Sequence, residues 1–110
     1  MRKLTSTNYL NEISLKKYCN AYNSLLLFHG RWKLPILFTL MSNPVYYSEF
    51  KKVLPDISDR ILSKHLNELV EDKLVQKEKT KNSSLYTLTT NDTKLISILL
   101  SLSDFYESMR

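Results

Sequence analysis

Apolar side chains recur every three or four residues along most of the chain, which is the period of an amphipathic helix. The clearest stripe lies in residues 58–72, where Leu62, Leu66 and Leu69 share one face. Ser58 precedes this stripe, and its hydroxyl can accept a hydrogen bond from a free backbone N–H group at a helix start. The pattern therefore predicts a helix over residues 58–72.

The N-terminal half also predicts helices. Residues 1–8 are polar and predict a frayed arm, and Gly30 marks the end of a first helix. A buried helix is expected over 32–41, with a proline in its first turn, where a missing N–H group costs little. A short helix is expected over 46–54, ended by a Pro-Asp pair. The apolar positions of the first helix are Leu15, Tyr18 or Cys19, Tyr22, and Leu25 or Leu26.

Beyond residue 72 the pattern changes to that of strands. Residues 74–79 and 85–89 contain strand-forming side chains, and segment 80–84 between them is rich in turn residues. A β-hairpin that follows a helix–break–helix segment is the wing of a winged helix. The sequence therefore predicts a mainly α fold with a small β-hairpin (α+β), a winged helix-turn-helix.

A last helix is expected over 91–109. Its apolar positions step by four and three residues, the period of a helix packed along another helix, at Leu95, Leu99, Leu102, Tyr106 and Met109. Four further apolar residues lie on its other sides: Ile96, Ile98, Leu100 and Phe105. One small domain can hardly cover all of this surface. The seam is therefore predicted to be a dimer interface, formed by Leu95, Leu99, Leu102 and Tyr106.

Composition places the chain among small globular proteins. Its 110 residues and 43% hydrophobic content are sufficient for one domain with a modest core. We expect a single domain over 1–110, with an N-terminal arm and helices (1–28), a helix-turn-helix (46–73), a wing (74–89) and a dimerisation helix (91–109). The sequence contains neither a long apolar stretch nor a secretory leader pattern, and it has one cysteine. These features predict a cytoplasmic protein that does not bind a membrane.

Net charge alone does not identify the partner. The overall charge is +5, but residues 1–45 carry +5, residues 46–90 carry +1 and residues 91–110 carry −1. The excess therefore lies mostly outside the segment that pattern assigns to the helix-turn-helix. The function is therefore inferred from sequence motifs and not from net charge.

Several motifs resemble the HxlR-type family of transcription regulators over roughly residues 19–106. They are Gly30-Arg31-Trp32, Ile57-Ser58 at a helix start, and Tyr86-Thr87-Leu88-Thr89 in the second wing strand. The resemblance implies a homodimer of winged helices, joined by its terminal helices, that binds a pseudo-palindromic operator in double-stranded DNA and acts as a repressor.

The chain departs from the family in three places. Lys73 and Asp92 stand where the family usually has glycine, and the wing is shorter and lacks a Pro-Pro pair. Lys73 is therefore expected to adopt a left-handed backbone conformation at a cost of about 1 kcal/mol.

DNA-contact candidates lie on the polar side of the 58–72 helix and on the wing. At about 22 Å that helix is long enough to lie in a major groove. Arg and Asn can make bidentate bonds to base edges, whereas Lys and Ser more often hold phosphates. The candidates are Ser58, Arg60, Ser63, Lys64 and Asn67 on the helix and Lys77, Lys79 and Lys81 on the wing. The alternative is that these are ordinary solvated side chains.

Cys19 is the candidate redox sensor. It lies thirteen residues before Trp32, the offset of a frequent cysteine in the family, and in several members that cysteine senses oxidants or electrophiles. As the only cysteine, Cys19 has to act through an adduct or an intersubunit disulfide. The alternative is a small buried thiol. Tyr18 and Tyr22 could line a pocket for an aromatic effector, but core packing is the favoured interpretation.

Other function classes find little support. His29 and His65 are 36 residues apart without ligands at metal spacing, and no phosphate loop or acid–base pair is present, so we expect no metal, cofactor or enzymatic activity. The main alternative is a winged helix that binds protein instead of DNA, which would carry an acidic or apolar recognition face.

Overall fold

The computed structural model describes residues 7–89 and 92–110. In this part of the chain the helices are α1 (Thr7–Leu27), α2 (Lys33–Leu40), α3 (Tyr47–Val53), α4 (Asp59–Glu71) and α5 (Asp92–Ser108). The strands are β1 (Val45–Tyr46), β2 (Val75–Lys79) and β3 (Ser84–Leu88). Most of the predicted arm, residues 1–6, lies outside the described residues, and residues 7 and 8 belong to α1.

The sheet has the order β1-β3-β2, and all of its pairs are antiparallel. The predicted hairpin is present as β2 and β3, with Val75 opposite Leu88 and Lys79 opposite Ser84. The third strand, β1, ends at Tyr46, the residue at which the sequence predicted a helix to begin, and it pairs Val45 with Tyr86. The start of the predicted 46–54 helix is thus corrected to Tyr47, because the preceding residue completes the sheet.

The core lies between α2, α4, the sheet and the first half of α5. It contains fourteen buried apolar side chains among the described residues: Ile36, Leu37, Leu40, Val45, Phe50, Ile57, Leu62, Leu66, Leu69, Val75, Tyr86, Leu88, Leu95 and Leu99. The predicted stripe of α4 is completely buried, and Trp32 packs against the edge of this cluster. The fold is therefore a mainly helical winged helix with a three-stranded sheet.

The four α5 residues predicted to form the dimer interface fall into a buried pair and an exposed pair. Leu95 and Leu99 are buried in the core of the subunit itself, because the first half of α5 packs on the domain. They are not available as free interface surface, which corrects the prediction for these two residues. Leu102 and Tyr106, in the second half of the helix, are exposed.

Helix α1 presents most of its apolar side chains to solvent. About half or more of the surface is exposed to solvent in five of them: Leu15, Tyr18, Tyr22, Leu25 and Leu26. The expectation that Tyr18 and Tyr22 pack in the core of the subunit is therefore wrong. Their rings instead stack on each other along α1, with centroids 6.2 Å apart.

Two of the described residues have a positive φ, in the left-handed region of backbone torsion angles. Gly30 has φ of +119°, and a Cβ atom placed there would lie 3.1 Å from the ring of His65. Lys73 has φ of +65°, as the sequence predicted. Gly30 lies between α1 and α2, and Lys73 lies between α4 and β2.

An ion pair also links helices α2 and α4. Lys33 is buried, and its Nζ lies 3.2 Å from Oε1 of Glu68. Nδ1 of His65 lies 3.3 Å from the same oxygen. These contacts, of which the His65 hydrogen bond is the larger influence, hold the pKa of Glu68 below its usual value.

Candidate nucleic-acid interface

Helix α4 has one buried face and one polar face. Leu62, Leu66 and Leu69 fix the helix on the core, so the opposite side is presented to solvent. Arg60, Lys64 and Asn67 are exposed on that side, at spacings of four and three residues. Together they form a surface about two turns long that carries two cations and one amide.

The N-terminus of α4 is capped by Ser58. Its Oγ accepts a hydrogen bond of 3.1 Å from the backbone N–H of Ile61. Because the cap satisfies one of the free N–H groups at the helix start, the helix begins at a defined residue. Ser58 is exposed, so the capped end of α4 is accessible.

Ser63 is placed differently from the other predicted contact residues. It is half-buried, and its Oγ lies 2.9 Å from the phenol oxygen of Tyr47 on α3. The Tyr47 phenol also donates to the backbone carbonyl of Asp59, at 3.2 Å. Ser63 thus links the two helices of the helix-turn-helix.

Lys51 forms a second link at the turn between α3 and α4. Its Nζ donates to the carbonyl of Ile57 at 2.6 Å and lies 3.2 Å from Oδ1 of Asp59. Sequence reasoning missed both Tyr47 and Lys51. Tyr47 lies in a segment that resembles the family, Tyr47-Ser48-Glu49-Phe50, but that resemblance does not show its contacts. The partners of Tyr47 and Lys51 become close only when the turn folds.

The wing presents its three lysines to solvent. Lys77 and Lys79 lie two residues apart on β2, so they share one face of the strand. Lys81 lies in the turn, whose ends are joined by hydrogen bonds between Thr80 and Ser83. On β3, Tyr86 is buried edge-to-face on Phe50, and this burial raises the pKa of Tyr86. The wing is therefore anchored in the core by Tyr86 and carries exposed lysines on β2 and in its turn.

Cys19 lies on the exposed surface of α1 as a free thiol. The alternative of a thiol buried within the subunit is therefore wrong for this structure. In the described part of the chain, no group of three or more His, Cys, Asp or Glu side chains could hold a metal ion. The same residues include no helix that is long and apolar enough to cross a membrane.

The arrangement of α3, α4 and the wing matches a known family over most of the chain. The sequence model of the HxlR-like helix-turn-helix family matches residues 27–110. The chain belongs to this family. As an HxlR-like protein, it is a transcription regulator of the helix-turn-helix type.

Relatives of this HxlR-like protein support the same classification. It is 28% identical over 95 residues to the uncharacterized HTH-type transcriptional regulator YdeP of Bacillus subtilis, which covers 84% of this chain and 74% of YdeP. It superposes on the redox regulator HypR in its oxidized form with a TM-score of 0.73 and 27% identity, covering 84% of this chain and 98% of HypR. The reduced form of the transcriptional regulator YodB from B. subtilis gives a TM-score of 0.69 at 25% identity, covering 76% and 89% of the two chains.

Proposed function

We propose that this HxlR-like protein binds a pseudo-palindromic operator in duplex DNA as a homodimer and represses transcription in the cytoplasm. In this proposal α4 enters the major groove, and the wing lysines contact the adjacent phosphates. A dimer bound at a promoter blocks access to that DNA by occupying it. Repression therefore requires no surface of the protein beyond the DNA-binding and dimer surfaces.

The observation that carries the proposal is the exposed face of α4. Arg60, Lys64 and Asn67 are presented there by a helix whose other side is fixed in the core. Arg can bond bidentately to guanine and Asn to adenine, while Lys neutralises phosphate. A winged helix that binds protein would carry an acidic or apolar face at this position, so the residue types favour DNA.

Selection from a random duplex pool tests this proposal. We expect enrichment of a two-fold symmetric site whose half-sites are about 34 Å apart, since two copies of α4 would enter successive major grooves. Affinity is expected to fall steeply with salt, because bound phosphates release counterions. Salt-insensitive binding, or a pool in which no duplex is enriched, would contradict the proposal and favour a protein partner.

Variants of α4 sharpen the test. Arg60→Ala is expected to cost about 1–3 kcal/mol of binding and to relax specificity at one base position, whereas Lys64→Ala should lower the salt slope by about one. Arg110→Ala is the matched control, because it removes the same charge from the exposed C-terminus. Equal losses from Arg60→Ala and Arg110→Ala would mean that only net charge matters.

We further propose that Cys19 couples DNA binding to oxidants or electrophiles. The thiol is exposed on α1, a helix whose apolar surface is also exposed, so an adduct or an intersubunit disulfide there would disturb how two subunits meet. A change in the spacing of the two α4 helices would alter both half-site contacts together.

Cys19→Ser isolates this sensing function. The variant is expected to bind the operator like the wild type but to be insensitive to a quinone, an aldehyde or a peroxide. A tenfold change in the affinity of the wild type for its operator would require a coupling free energy of only about 1.4 kcal/mol between modification of Cys19 and DNA binding. If both proteins release the operator identically under each reagent, the sensing role of Cys19 is wrong.

A further inference from the structure

A small cavity lies where the end of α1, the turn before β2 and the start of α5 meet. Its volume is about 270 Å³. The walls are mainly apolar and come from Leu27, Phe28, Leu74, Leu95 and Ile98. A cavity just below the usual size range for ligand pockets fits a small apolar molecule.

The polar groups of this cavity are cationic or neutral. Among its described lining residues, the charged side chains are Lys73 and Lys94, and Ser24 and Thr89 contribute hydroxyl groups. Both lysines are exposed, and neither forms an ion pair with another described residue. Two lysines that line an apolar cavity favour a ligand with a negative charge attached to an apolar body.

The backbone at Lys73 is fixed by hydrogen bonds. Its N–H donates to the carbonyl of Val70 at 3.0 Å, and the N–H of Leu74 donates to that of Leu69 at 3.0 Å. Thr89 also donates to the carbonyl of Leu74, at 3.2 Å. A lysine with φ of +65° is strained, since glycine adopts this conformation at lower cost. The bonds from Lys73 and Leu74 are those of a helix C-cap, which accounts for the left-handed conformation. The chain therefore has a lysine at the edge of the cavity, at a position where glycine would suit the backbone better.

We propose that this cavity binds a small apolar carboxylate. The carboxylate would lie between the ammonium groups of Lys73 and Lys94, with the hydroxyl groups of Ser24 and Thr89 as further donors. The apolar part would contact Leu27, Leu74 and Ile98. The ligand would thereby bridge α1, α5 and the C-terminal end of α4. The binding itself does not depend on the proposed contact with DNA.

Calorimetric titration of the full chain without DNA tests the site. Phenylacetate and hexanoate are the probes, and phenylacetamide and hexanamide are their neutral counterparts. We expect at least one acid to bind saturably in the millimolar range or below, and its amide to bind at least tenfold more weakly. Lys73→Gly and Lys94→Gln should each weaken binding of that acid several-fold, and together at least tenfold.

Matched controls separate the site from net charge and from misfolding. Lys77→Gln and Lys81→Gln remove the same charge from the wing and should leave acid binding unchanged. Lys73→Gly suits the local backbone, so its helical circular dichroism and melting should show a folded protein. The proposal is overturned if neither acid binds saturably, if acid and amide bind equally, or if the wing variants weaken binding as much as the cavity variants. In the first case, a side chain of a second subunit becomes the occupant to test.

Discussion

Glu68 is the residue at which charge joins α4 to α2. Its carboxylate contacts the nearly buried ammonium of Lys33 and the ring of His65, and these contacts lower its pKa. Glu68→Gln removes the charge that compensates Lys33, so we expect a loss of about 1 kcal/mol in the free energy of unfolding at neutral pH, moderated because Glu68 is itself partly exposed. Urea denaturation of both proteins measures this difference.

The same contact sets a direction for pH dependence. A folded-state pKa below the usual value of 4.5 means that the contribution of Glu68 is complete above that pH and is lost as pH falls through the folded pKa. The wild type should therefore lose more stability on acidification than Glu68→Gln. Glu71→Gln, which removes an exposed carboxylate from the same helix, is the control for the loss of one negative charge. Identical acid profiles for the wild type and Glu68→Gln would contradict this role.

At the residue scale, local backbone chemistry could be predicted from the sequence and pairwise contacts could not. The cap at Ser58 follows from a residue and its immediate neighbours in the chain. The left-handed Lys73 was expected because the family that the chain resembles usually has glycine at this position. The bond between Tyr47 and Ser63 joins side chains sixteen residues apart, and it depends on the angle between two helices. The sequence did not predict this bond, and the DNA contact of Ser63 stays a prediction.

The start of α4 is the element-scale feature that combines stability with the proposed DNA contact. Ser58→Ala is expected to cost about 1 kcal/mol of stability, because it removes the hydrogen bond to the N–H of Ile61. Ser58→Asp should retain most of the stability, since Asp caps equally well. If the capped end lies near a DNA phosphate, the added negative charge should weaken operator binding strongly.

Thermal unfolding and operator titration of the two variants separate these effects. Ser58→Ala should lower the melting temperature more than Ser58→Asp, whereas Ser58→Asp should reduce affinity more than Ser58→Ala. If Ser58→Asp binds the operator as tightly as the wild type does, the start of α4 lies away from the phosphates. Asp56→Ala, in the preceding exposed turn, is the control for a general effect of charge near the turn.

Long, periodic elements were predictable, and a short one was not. Helix α4 and the hairpin lie within one or two residues of their predicted bounds, because each has several apolar positions that define a period. Strand β1 contains two residues, which is too few to show alternation, and it exists because β3 offers a free edge. The burial of Leu95 and Leu99 was also missed, since periodicity identifies an apolar face but not the surface that covers it.

At the scale of the whole molecule, the subunit is elongated and leaves two apolar surfaces uncovered. Its extents are 64 × 34 × 24 Å, partly because α1 has 21 residues and makes few contacts with the domain. Among the described side chains, five large apolar residues of α1 are exposed, and so are Leu102, Phe105 and Tyr106 of α5 and the following Met109. Several exposed large apolar side chains on one helix are typical of a subunit interface, which is why we propose that both terminal helices join the homodimer.

Leu102→Glu combined with Tyr106→Glu tests that interface without disturbing the core. Both side chains are exposed, while Leu95 and Leu99 hold the first half of α5 on the domain, so the variant should fold. Two carboxylates within an apolar interface would be desolvated without partners, and sedimentation should therefore show monomers at micromolar concentration. Ser97→Glu combined with Ser101→Glu adds the same charges at the same spacing on exposed positions of α5 and should remain dimeric. A Leu102/Tyr106 variant that sediments as a dimer would exclude the end of α5 from the interface and leave α1 as the surface that joins the subunits.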